Sequence, residues 1–84
     1  MSSGLRFPAT DMLRRLGDLP SGDPIRVAAM YEARAKDCLA EAQWNARAGH
    51  VVAAEIFQRG YEKDMHAARQ TLAKALRNRP EVAA

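Results

Sequence analysis

The sequence predicts an all-α fold: an antiparallel helical hairpin of two long helices with a short N-terminal helix packed on it. No segment alternates β-branched or aromatic residues with polar residues, as a half-buried strand would. Apolar residues instead recur at spacings of three and four, which is the period of an amphipathic helix. With 84 residues, the chain has the length of one small domain, predicted over residues 10–79.

The first helix is predicted over residues 11–16, after a flexible arm formed by residues 1–9. Thr10 is a suitable N-cap, and Asp11 follows it near the positive end of the helix dipole. Gly17 suits the residue just beyond the C-terminus of a helix. A helix this short is marginal in isolation, so we expect it to dock on the rest of the chain.

The two long helices are predicted over residues 24–48 and 51–78. Asp23 is the N-cap of the second helix and Pro24 takes its first position, where the missing N–H costs nothing. Gly49 separates the two helices, and so short a connection makes them antiparallel. A single helix running through Gly49 is the alternative. Pro80 ends the third helix, and we expect residues 80–84 to fray.

The second and third helices each carry an apolar face, and the two faces lie against each other when the chain folds back at Gly49. This pairing predicts that Leu39 packs near Gly60. The small size of Gly60 would leave room for Leu39 or Cys38 where the two helices cross. The face of the third helix comprises Phe57, Tyr61, Ala68, Leu72 and Ala75, flanked by Met65 and Leu76. The facing "first seam" of the second helix comprises Ala28, Tyr31, Ala35, Cys38, Leu39, Ala42 and Ala46.

A further apolar row, here called the second seam, lies on the far side of the second helix at spacings of three and four. It comprises Met30, Ala33, Asp37, Ala40 and Trp44. A two-helix hairpin cannot cover it, and large apolar side chains are costly to leave in water. We expect either the N-terminal segment or another chain to cover it. The Asp37 carboxylate would then need a cation, which Arg14, Arg15 or a partner could supply.

The third helix also carries a polar, largely basic stripe opposite its apolar face. Its members are Arg59, Lys63, His66, Gln70, Lys74 and Arg77. Such a stripe can follow a phosphate backbone. The sequence favours the other interpretation, a solvated face that complements the negative end of its own helix dipole, because no aromatic residue lies in the stripe for base stacking. We expect Lys63, Lys74 and Arg77 to be exposed.

The sequence shows no residue pattern that indicates a catalytic or a metal-binding site. Cys38 falls on the first seam, which indicates a buried structural thiol rather than a nucleophile. No set of three ligands with metal-site spacing and no glycine-rich phosphate loop is present. The sequence therefore predicts no enzyme activity, metal or cofactor.

The expected function is a small interaction protein, acting as an adaptor, an inhibitor or an oligomerising subunit through the second seam. Its partner would be another protein or a second copy of the chain. The alternative is a nucleic-acid-binding accessory protein that uses the basic stripe, which the net charge of +3 permits. No apolar stretch is long enough for a membrane span, and a single cysteine favours the cytoplasm. The bias to Ala and Arg is typical of a GC-rich bacterial or phage genome.

Overall fold

Three helices make up the described part of the chain, residues 5–79 of a computed structural model. They are α1 (Pro8–Leu16), α2 (Pro24–Arg47) and α3 (Val51–Asn78). α2 and α3 pack together as a hairpin, and α1 packs on α2. No strand occurs in residues 5–79. The predicted fold class, a small all-α three-helix arrangement, is confirmed.

α1 begins three residues earlier than its predicted start at residue 11. Pro8 and Ala9, assigned above to the arm, belong to the helix, and Thr10 lies in its first turn instead of capping it. The actual N-cap residue, Phe7, has no side chain that can accept a hydrogen bond. Pro8 suits this start because its fixed φ is helical and it has no N–H to leave unpaired. Residues 1–4 of the arm lie outside the described residues.

α2 begins where the sequence indicates and is tied to the end of α3. The Asp23 carboxylate accepts a hydrogen bond from the Ile25 N–H at 2.9 Å. Its other oxygen accepts one from the Arg79 guanidinium at 2.7 Å. The helix ends at Arg47, one residue before the predicted end. The predicted frayed tail, residues 80–84, lies outside the described residues.

The core lies at the end of the hairpin where all three helices meet. Ala9 from α1 and Ile25 from α2 are fully buried there, and Leu72 from α3 is nearly so. The cluster comprises Ala9, Ile25, Ala28, Ala29, Leu72 and Ala75, with Met12, Leu13, Leu19 and Leu76 packed against it. Alanines make up much of it, which lets the helix axes approach closely.

Close approach of α2 and α3 is most evident at Gly60. A β-carbon at this position would lie 3.2 Å from the Cys38 sulfur, which is tighter than ordinary van der Waals contact. Of the two residues named for this contact, Cys38 makes it. Leu39, the other residue, has no atom within 4 Å of that β-carbon position; it is half-buried and lines a groove with Leu5 and Phe7.

Candidate protein-binding face of helix α2

The second seam lies open along α2. Met30 is 51% exposed and Trp44 is 56% exposed. Ala33, Asp37 and Ala40 are exposed between them. These residues recur at the helical period, so one face of α2 presents an apolar row with a single carboxylate near its centre. Residues 5–79 therefore contain no segment that buries this row.

The docking position of α1 explains why the seam stays open. Glu32 lies in α2 and is only 2% exposed. Its carboxylate accepts hydrogen bonds from the Ala9 N–H at 2.9 Å, the Thr10 N–H at 2.8 Å and the Thr10 hydroxyl at 2.7 Å. It thus caps the N-terminus of α1 from a neighbouring helix, where a negative charge also suits the helix dipole. This contact holds α1 beside the seam, not over it.

A groove runs between α1 and the N-terminal half of the second seam. Leu13 of α1 forms one wall, and Ala29, Met30 and Ala33 of α2 form the other. Its volume is about 430 Å³. That lies within the roughly 300–1,000 Å³ of typical ligand pockets. The groove can therefore admit a large apolar side chain from outside the chain.

The hairpin turn holds Trp44 at the other end of the seam. Gly49 has a φ of +83°, a left-handed conformation that glycine adopts without strain. Asn45, which is buried, donates to the Glu41 carbonyl at 2.8 Å and lies 3.2 Å from the His50 ring nitrogen Nδ1. The His50 ring meets the Trp44 ring edge-on, with centroids 5.9 Å apart. The turn thus fixes one edge of the indole and leaves the rest exposed.

Asp37 has no cationic partner in the described part of the chain. Arg14, one of the two arginines proposed for it, instead lies 3.5 Å from Asp11 on the surface of α1. Arg15, the other, forms no ion pair within residues 5–79. Because Asp37 is exposed, it pays no burial cost and needs no partner in the free chain. Neither arginine therefore neutralises the seam.

The charged residues of the basic stripe are exposed on the side of α3 that faces away from its buried residues. Lys63, Lys74 and Arg77 are exposed, as the sequence predicts, and so are Arg59 and His66. None of these side chains forms an ion pair within residues 5–79. The stripe and the second seam belong to different helices and form two separate surfaces.

Two buried polar residues that position the site were missed from the sequence, Glu32 and Asn45. Each one continues a buried row at helical spacing, Glu32 after Ala28 and Asn45 after Ala42. A polar residue in such a row needs a hydrogen-bonding partner. The presence of a polar residue in an otherwise apolar row is therefore the sequence signal that could have identified Glu32 and Asn45.

Residues 5–79 hold no group of three His, Cys, Asp or Glu side chains arranged to bind a metal ion. Cys38, predicted to be buried, is half-buried, and its sulfur packs against Gly60. None of the helices in this range is both long and apolar enough to cross a membrane.

Comparisons with family models, with curated proteins and with solved structures each find no match to this chain.

Proposed function

We propose that this chain is a small non-enzymatic interaction module, an adaptor, inhibitor or oligomerising subunit, that binds a protein through the second seam. One observation carries the proposal: Met30 and Trp44 lie on one face of α2 and each is more than half exposed. Removing apolar surface from water contributes about 25 cal/mol per Å². Trp and Met are also enriched where proteins meet.

The position of α1 supports this proposal. Among the helices of residues 5–79, α1 is the one that could have covered the seam, and Glu32 holds it on the neighbouring strip of α2. The groove between Leu13 and Met30 gives the second seam a concave site at its N-terminal end. A cytoplasmic location and a bacterial or phage source complete the proposal, on the grounds of the single cysteine and the Ala and Arg bias.

Site-specific photo-crosslinking tests the proposal. A photoreactive residue replaces Ala33 on the second seam or, as the control, Ala73, which is exposed on α3. In cells that express the chain, we expect protein adducts from position 33 and few from position 73. Trp44→Lys should abolish the adducts, because a charge at the apolar end of the seam opposes burial. Equal yields at both positions, or yields unaffected by Trp44→Lys, would contradict the proposal.

The second candidate function is nucleic-acid binding through the basic stripe, whose cations are exposed and form no ion pair within residues 5–79. Contacts of this kind release counterions, so affinity falls steeply as salt rises. A titration with nonspecific DNA should then weaken steeply with salt and be lost in Lys63→Glu/Lys74→Glu. Absence of binding at low salt, or binding that survives the double reversal, would rule this candidate out.

A further inference from the structure

We infer that the partner of the second seam is a second copy of this chain, packed with the two α2 helices antiparallel. This inference rests on the proposed function, because it uses the same surface. Its basis is that the seam is complementary to itself in side-chain size, and that one flank of the seam is complementary to itself in charge. In a dimer with a two-fold axis every such contact occurs twice. Two-fold dimers are the commonest form of homo-oligomer.

The size complementarity comes from the spacing of the seam. Spacings of three and four repeat every seven residues, which is the pattern of helices that pair by knobs into holes. When two such helices run antiparallel about a point close to Cys38, Trp44 of each copy lies opposite Ala33 of the other. The groove between α1 and α2 opens beside Ala33 and can receive the indole. The largest side chain of the seam thus meets one of its smallest.

The charge complementarity comes from Arg34 and Glu41, which directly follow Ala33 and Ala40 and so lie on one flank of the seam. They are two helical turns apart, about 10 Å along the axis, so they cannot pair within one chain. In an antiparallel pair the equivalent flanks of the two helices meet. Arg34 of each copy is then within reach of Glu41 of the other.

The free chain leaves both charges available. The Arg34 guanidinium lies 5.9 Å from the centre of the Tyr31 ring, so an aromatic stack supports it without neutralising it. Glu41 is exposed, and its carboxylate forms no ion pair in the described part of the chain. Within residues 5–79 neither Arg34 nor Glu41 forms an ion pair, so each copy offers one cation and one anion to the other.

Asp37 selects the antiparallel arrangement over the parallel one. In a parallel pair the two Asp37 carboxylates would face each other in the centre of the contact. In the antiparallel pair each lies opposite Ala40 of the other copy. Repulsion is reduced but not removed, because the two Asp37 carboxylates are offset by only three residues, about 4.5 Å along the axis, and Glu41 of the second copy is also close. Asp37→Asn should therefore tighten the dimer severalfold.

A charge swap measured by sedimentation equilibrium tests the inference directly. The parent chain should form a dimer whose population rises with concentration. Arg34→Glu alone and Glu41→Arg alone should each weaken it by about tenfold. The double variant should return to within about threefold of the parent, because the pair is re-formed with its signs exchanged. Arg69→Glu, an exposed arginine reversal on α3 outside both candidate surfaces, is the matched control and should change nothing.

Several results would overturn the second copy as the partner. A monomer at every concentration would do so, and so would a dimer that the double swap fails to restore. Crosslinking from Ala33 then separates the two proposals. Adducts to other proteins that depend on Trp44 would leave the proposed function standing while this inference fails. A monomeric chain with no Trp44-dependent adducts would remove both.

Discussion

Removing the Glu32 carboxylate should release α1 from the hairpin. Glu32→Ala deletes three hydrogen bonds and leaves the N–H groups of Ala9 and Thr10 without partners. Net contributions of about 1.5–3 kcal/mol are typical for a hydrogen bond to a charged group, and deleting a helix cap costs about 0.5–2 kcal/mol. Because these contacts are lost as one unit, we expect a total loss of about 3 kcal/mol. The expected stability of an 84-residue chain is roughly 4–12 kcal/mol.

The assay is urea unfolding followed by far-UV circular dichroism, with amide hydrogen exchange at Ala9 and Thr10 as a local readout. Thr10→Val, which removes only the hydroxyl bond, should cost about 1 kcal/mol and keeps the test decisive if Glu32→Ala does not fold. Lys36→Ala, one turn further along α2 and exposed, should stay within about 0.5 kcal/mol of the parent. A Glu32→Ala chain as stable as the parent, with unchanged exchange at both amides, would refute the reasoning.

Three further sets of variants should change the free energy of unfolding by smaller amounts, all measured by urea unfolding. Gly60→Ala should be close to neutral, because the new β-carbon would crowd the Cys38 sulfur, but should stabilise the Cys38→Ala chain by up to about 1 kcal/mol through helix propensity. An equal gain in both backgrounds would contradict this. Arg79→Ala should cost about 0.5–1 kcal/mol and less at high salt, since its ion pair is partly exposed; a loss independent of salt would count against the ion pair. Reversing both Lys74 and Arg77 should change stability by no more than about 0.5 kcal/mol, whereas a large loss would place the stripe in an interface.

Local signals in the sequence were sufficient for the hairpin. Asp23 and Pro24 start α2 through contacts within two residues, and Gly49 turns the chain through its own backbone freedom. The buried faces also follow from spacing, as Ala68, Leu72 and Ala75 of α3 show. Each of these features depends on residues that are neighbours in sequence or on one helix.

The start of α1 could not be predicted in the same way. Its N-terminus is capped by Glu32, which is 22 and 23 residues away from the groups it binds. The second seam was visible as a pattern, but its exposure depends on where α1 docks, and that again depends on Glu32. Thr10 illustrates the error: its hydroxyl donates to the Glu32 carboxylate from inside the first turn of α1. Long-range polar contacts of this kind leave no periodic signal.

The central claim is that the second seam is an open surface of the folded chain, and the free energy of unfolding of Trp44→Ala tests it most directly. The measurement is made at a concentration low enough to keep the chain monomeric. Because Trp44 is 56% exposed and alanine is the better helix former, the expected loss is no more than about 1.5 kcal/mol. A buried tryptophan costs about 3–5 kcal/mol when truncated. A loss in that range would show that Trp44 belongs to the core and would contradict the account.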